Sequence, residues 1–324
     1  MKKMKKLNLL LGTLIATAAL SHAVDSYSEV VGYQKLVSSQ GFTTVSMPLV
    51  KPAIVTGTVS SKSGSSITLS ASIPAGTDAT KPYYLEVTSG TLAGERADVT
   101  VTAGSAVVVI AASSYNTSAL STLASGDSVL VRAHVTLADL DASCSPGLVG
   151  DDVNGDRVLF FVNGAFVPYM KASDGSWNED GGLDDMSNLP MRPGIGMLIH
   201  RRAATATTLT QTGVVRANKF ARPVAKGFSF FAPAYPVDLS PDAMGAKPTF
   251  GWSNGDRILP FVNGAFVNNI LDTSDTTGGS YGTWYEDGGL DPLNATTLVN
   301  SQKSAMVYNN NSGAGSVETS PVAQ

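Results

Sequence analysis

The chain holds 324 residues, with 22 Lys and Arg against 26 Asp and Glu, a net charge of −4 and one cysteine. That charge excludes the clustered basic surface nucleic acid requires, and a single cysteine excludes an intramolecular disulfide framework. Low charge with abundant Ser, Thr, Val, Ala and Gly is the composition of an exported β protein, with room for two or three domains of about 100–200 residues.

Residues 1–23, MKKMKKLNLLLGTLIATAALSHA, read as a secretory signal. Lys2, Lys3, Lys5 and Lys6 make the positive start, an apolar run covers Leu7 to Leu20, and Ser21-His22-Ala23 places small residues where a signal peptidase cuts. The run is too short for a good membrane span, and no later segment approaches one. Nor does the chain show the ten-residue alternating ladder and aromatic girdles of an outer-membrane barrel. Residues 24–324 keep 18 basic against 26 acidic residues, a net charge of −8. The expected location is the periplasm, the outer surface or the exterior.

Strand signals dominate the region after residue 60. GSSITLSASI (64–73), PYYLEVTSG (82–90), RADVTVTAGSAVVVIAA (96–112) and DSVLVRAHVTL (127–137) alternate or run β-branched between Gly, Pro and Asp breaks. One short helical turn is expected at 116–127, where Leu120 and Leu123 share a face. The expected class is all-β, of sandwich or barrel type.

The chain contains a duplication. NGDRVLFFVNGAFV (154–167) returns as NGDRILPFVNGAFV (254–267), identical at twelve of fourteen positions. WNEDGGLD (177–184) returns as WYEDGGLD (284–291), and GFTTVSMPL (41–49) has the shape of GFSFFAPAYP (227–236). The Gly-Phe strand reaches NGDR in 28 residues in the second unit and in 114 in the first, so roughly 86 residues are inserted in the first. The division is a first β module at 24–50 plus 137–212, an inserted small β domain at 51–136, a second β module at 213–308 and a disordered polar tail at 309–324.

GFTTVSMPL, RVLFFVNGAFVPYM, GSW and RPGIGMLIHR (192–201) together resemble a recurrent module of exported bacterial surface proteins. YYLEVTSGTLAGE (83–95) is similar to a family of uncharacterised exported proteins in Verrucomicrobia and related bacteria. The resemblance implies an envelope or surface location and supplies no catalytic residues. The second unit has LVNSQKSAMVYNN (298–310) in place of Pro-Gly-x-Gly, so its last strand is expected to be irregular.

Within the repeat, Asn163-Gly164 is a type I′ hairpin signal, and a core hairpin needs no role beyond folding. Asp152, Asn154 and Asp156 start like a calcium loop, but position six is Arg157 and position twelve Asn163, which defeats that reading. W-x-EDGGLD gathers Glu179, Asp180 and Asp184, and again Glu286, Asp287 and Asp291. These are a candidate pair of calcium sites, or solvated turns whose acids contact Arg157 and Arg257. Trp177, Trp252 and Trp284, with Tyr169, Tyr281 and Tyr285 nearby, are candidate glycan-stacking residues. Trp177 and Trp284 read equally as core at equivalent positions, leaving Trp252 and Tyr281 as the ones expected to be exposed.

No Ser-His-Asp order is present, His134 and His200 lie in apparent strands, and Cys144 has no neighbouring histidine. Asp180 and Asp287 could pair for glycoside hydrolysis only if they met in one cleft. The expectation is a non-catalytic structural or interaction module of the envelope or surface, whose partner is another copy of itself in an oligomer or array. The alternatives are a glycan-binding module and a hydrolase.

Overall fold

The computed structural model describes residues 29–112, 119–277, 282–311 and 314–318. The first unit opens with β1 (Val31–Ser38) and β2 (Gly41–Val45). The chain then leaves it for a closed antiparallel barrel of β3 (Ala53–Ser63), β4 (Ser66–Leu69), β5 (Tyr83–Val87), β6 (Arg96–Val101), β7 (Val107–Ile110) and β8 (Ser128–Ala133), in the order β3-β4-β7-β6-β5-β8. These strands lie inside the 51–136 stretch that the repeat spacing marks as inserted. Alternation sends Val59, Ile67, Leu85, Val99, Val108 and Val131 into the barrel core. Leu120 and Leu123 join that core from around a single 3-10 turn (Ala119–Thr122), within the 116–127 stretch that the sequence marks for a short helical turn.

The first unit resumes with β9 (Val135–Thr136), helix α1 (Leu137–Ala142), β10 (Cys144–Ser145), β11 (Arg157–Val162), β12 (Ala165–Lys171), β13 (Trp177–Glu179), β14 (Pro190–Met191), β15 (Met197–Arg201) and β16 (Thr207–Val214). Thr136 and Asp139 form a capping box that starts α1. The second unit holds β17 (Phe220–Val224), β18 (Gly227–Phe231), β19 (Arg257–Val262), β20 (Ala265–Phe266), β21 (Asn269–Asp272), β22 (Thr283–Glu286), β23 (Ala305–Asn309) and β24 (Ala314–Glu318). Among the described residues no helix is long and apolar enough to cross a membrane.

Both units build one sheet. Its order is β13-β12-β11-β15-β2 in the first and β22-β21-β19-β23-β18 in the second, every strand matched to its sequence counterpart. The ribbon β1–β16 is matched by β17–β24. Two expectations change here. The last strand of the second sheet, β23, is regular and pairs along its length with β18, so Pro-Gly-x-Gly is not required to form it. The assignment of 309–324 as a disordered tail is corrected at Ala314–Glu318, while 312–313 and 319–324 lie outside the described residues. Ala314–Glu318 is a strand, held because β17 offers it a ladder and Arg222 pairs with Glu318. Asn163 and Asn263 both sit at φ 50, followed by Gly164 at φ 89 and Gly264 at φ 87, the type I′ turn that Asn-Gly favours.

Where the copies differ, one residue explains much. Phe160 pairs with Val167 in a continuous β12, whereas Pro260 splits the equivalent strand into β20 and β21. Proline has no N–H to return to Val267. The buried Asn269 amide donates instead to the carbonyls of Val267 (3.4 Å) and Ile258 (3.0 Å).

The units pack face to face about an approximate two-fold. Ala232 N–H donates to the Gly194 carbonyl (3.0 Å), and the repeat-equivalent Ser46 N–H donates to the Gln302 carbonyl (2.9 Å). Gly196 and Ser304, themselves equivalent, meet at the axis, where a Cβ on Gly196 would lie 2.4 Å from the Ser304 Cβ. Each unit thus meets the end of the other's β2 or β18, where the Ser304 hydroxyl donates to the Val45 carbonyl (3.1 Å) and the Gly196 N–H to the Phe230 carbonyl (3.0 Å).

The barrel docks across this pair through a buried polar seam. All five residues of β5 are buried, because Tyr84 and Glu86 point outward into the seam while their neighbours fill the barrel. Glu86 is ion-paired with Arg216 and accepts from Asn218 (3.0 Å). Arg96 donates to the Ala221 carbonyl (2.8 Å) and lies over the Phe220 ring at 3.8 Å. Toward the first unit, Asp98 meets His134 (3.0 Å) and Arg192 (2.6 Å).

Candidate functional site: a cleft between the two units

The residues singled out in the sequence distribute unevenly. Trp177, Trp252 and Trp284 are at most 2% exposed and belong to the two sheet cores. For Trp252 this corrects the expectation of an exposed stacking face. Its ring packs edge-on against Trp284 at 5.7 Å and fills a core volume that the first unit fills differently. The Trp284 indole N–H donates to the Ala246 carbonyl (2.9 Å), as a buried tryptophan requires. Tyr281 lies outside the described residues.

The acids of both EDGGLD turns are exposed. Gly181 (φ 86) and Gly288 (φ 82) make the reversal, and each turn is closed by the following glycine's N–H on Glu179 or Glu286 (2.7 Å). Arg157 donates to Asp180 (3.0 Å), while Asp287 is held by Asn268 rather than by Arg257. Among the described residues no three of His, Cys, Asp and Glu are grouped to hold a metal ion. The Asp of NGDR has a different task in both copies. Asp156, fully buried, pairs with Arg201 and accepts from the N–H groups of Val149 (2.7 Å) and Arg202 (2.7 Å). Asp256 accepts from Ser253 (2.8 Å) and Asn310 (2.8 Å), the residue equivalent to Arg202. The repeated motif pins the end of the sheet.

Cys144 is buried, and burial with nearby Asp141 pushes its thiol up to about 11, far from a reactive thiolate. His134 is buried at the barrel junction, and burial holds its imidazole below the usual 6.5 despite the Asp98 contact. His200 stacks on Phe42 at 4.1 Å.

No local pattern in the chain announces a cleft of about 740 Å³ that opens beside the unit–unit junction. One wall is the β11–β12 hairpin, with Phe160, Phe161 and Asn163-Gly164; the other is the Ala225–Phe230 stretch around β18, and Ile195 lies between them. The walls are tied together by rings: Phe161 on Phe166 at 5.1 Å and Phe166 on Phe230 at 5.5 Å. Phe228 is 49% exposed at the rim and rests on Tyr308 at 4.8 Å. The titratable side chains lining the cleft are Tyr169, Arg192 and Lys226. Burial, then Glu179, raises the Tyr169 phenol. An aromatic trough with Lys226 at its margin, Arg192 being paired with Asp98, suits an apolar group whose negative charge meets Lys226; its lining includes no carboxylate, imidazole or thiol. The signals that build it, a Gly-Phe strand start and an Asn-Gly hairpin, were visible as fold signals only.

The chain matches no protein-family model, no curated protein and no solved structure.

Proposed function

We propose that this chain is an exported, non-catalytic interaction module of the cell envelope or surface, and that it binds through the cleft between its two β units. The observation that carries the reading is the composition of that cleft: aromatic and aliphatic walls with Lys226 at the margin, and no carboxylate, imidazole or thiol among the lining residues. The lysine-rich start with its apolar run, and the resemblance to exported modules of Verrucomicrobia, support an envelope or surface setting. Burial of all three tryptophans leaves a glycan reading to rest on tyrosines alone.

The test is binding of an anionic apolar fluorescent dye to the purified exported protein. We expect saturable binding that Phe228→Ser, at an exposed rim position, weakens about tenfold. Dye binding absent in the parent protein, or unchanged in the variant, would remove the cleft from consideration.

A further inference from the structure

We propose that the outer edge of β1 docks a second copy of the same chain, the two β1 strands pairing antiparallel about a two-fold axis at Gln34. The inference is independent of the cleft. β1 pairs with β16 alone, and among the described residues no strand takes its other side. The Val215 N–H donates to the Val30 carbonyl (2.7 Å). Alternation along the antiparallel ladder then turns the backbone groups of Gly32, Gln34 and Leu36 toward β16, and those of Val31, Tyr33, Lys35 and Val37 outward. The side chains of these outward residues are exposed as well, Val31 at 73%, Tyr33 at 57% and Val37 at 59%. An eight-residue unpaired edge with an apolar face is a feature that proteins ordinarily bend, shorten or cover.

The second unit covers the same edge. Counting back from the Gly-Phe that opens β2 and β18, Lys35 corresponds to Ala221 and Val37 to Pro223. The Ala221 N–H donates to the Gly94 carbonyl (3.1 Å) and the Ala221 carbonyl accepts from Arg96 (2.8 Å), both partners coming from the barrel. Pro223 has no N–H to leave bare. The chain therefore closes this edge in one unit and, among the described residues, leaves it open in the other.

The sequence of β1 identifies what fits there. Outward residues must meet outward residues, so a two-fold ladder of β1 on itself centres on a single residue of the strand. Centring on Lys35 sets two lysines face to face, and centring on Tyr33 lets Val37 run past the end of the strand. Gln34 alone brings every outward residue into the ladder. Val31 then faces Val37 of the second copy, and Tyr33 faces Lys35, a ring against an ammonium group. Lys35 already lies over the ring of its own Tyr33 (5.6 Å), so cation and aromatic share the exposed face in each copy. A lysine on an edge commonly deters pairing; in this register the two lysines stand on a diagonal instead of opposite each other. Each strand meets its own copy, so the contact is isologous and closes at a dimer.

Light scattering over a concentration series tests this on the exported protein, with circular dichroism to report the fold. The parent should pass from monomer to dimer and stop. Val37→Pro gives β1 what β17 already has: it removes an outward N–H from each copy and leaves the β16 ladder intact. It should raise the dimer midpoint at least about tenfold. Tyr33→Lys sets lysine against lysine and should do the same, and adding Lys35→Glu makes both contacts opposite-charge pairs and should restore the dimer. If Val37→Pro fails to fold, the charge exchange decides alone. A parent that stays monomeric throughout, or that grows past a dimer, overturns the proposal. A dimer indifferent to folded Val37→Pro or to Tyr33→Lys overturns it equally, as does a Tyr33→Lys/Lys35→Glu chain that remains monomeric.

Discussion

Asp156 and Asp256 occupy the same place in two copies and differ in what surrounds them. Both are fully buried and both accept backbone N–H bonds, but only Asp156 faces a buried arginine, Arg201, where the second unit has Asn309. Removing the carboxylate therefore has unequal consequences. Asp156→Ala strands the Arg201 charge in the interior and should cost about 3–5 kcal/mol. Asp256→Ala leaves only hydrogen-bond donors unanswered and should cost about 1–3 kcal/mol. Urea unfolding of the two variants side by side gives the comparison, and equal losses would contradict it. At this scale the sequence was half legible. NGDR stood out as repeated, and its Asn-Gly as turn chemistry, but the ion pair that Asp156 makes joins residues 45 apart, and no local pattern announces it.

At the scale of elements, the strands and hairpins were readable because alternation and Asn-Gly turns are local physics. Two strands escaped for an equally physical reason. Neither Ala305–Asn309 nor Ala314–Glu318 carries a strong signal of its own, and each is fixed by the partner strand that offers it hydrogen bonds. The break between β20 and β21 is the reverse case, a tertiary irregularity traceable to one residue. If the Asn269 amide substitutes for the N–H that Pro260 lacks, Asn269→Ala should cost about 0.5–1.5 kcal/mol by removing its hydrogen bonds to the Val267 and Ile258 carbonyls. Adding Pro260→Ala restores an N–H opposite Val267 and should recover part of that loss. A double-mutant cycle measures the coupling, and simple additivity would sink the explanation. The cleft was illegible for a related reason: Phe161 and Phe228 stand far apart in sequence and meet only because the two sheets pack together.

The whole molecule is held at its barrel junction by buried charge, which ties its stability to pH. Burial alone would push the Asp98 carboxyl up, but the hydrogen bonds and charge of His134 and Arg192 outweigh it and hold it below the usual range. Burial holds His134 below 6.5. In both cases the unfolded chain binds more protons than the native one, so stability falls as pH is lowered. The histidine acts first, as pH drops below its unfolded value near 6.5, and Asp98 follows in the carboxylate range below about 4. Unfolding free energies measured between about pH 7 and 5 should decline by up to ~1.4 kcal/mol per unit from this one site, and His134→Gln should flatten that slope. A variant with the parent's slope would assign the effect elsewhere.

The reciprocal hydrogen bonds at Ser46 and Ala232 have a further meaning. Two like units meeting about a two-fold are a homodimer written as one chain. Covalent linkage makes their association intramolecular, so dilution cannot separate them. It also releases each half from having to remain its own mirror partner. One half could then accept a barrel between β2 and β9, and the other a proline in β19, changes that a true symmetric dimer would have had to carry twice.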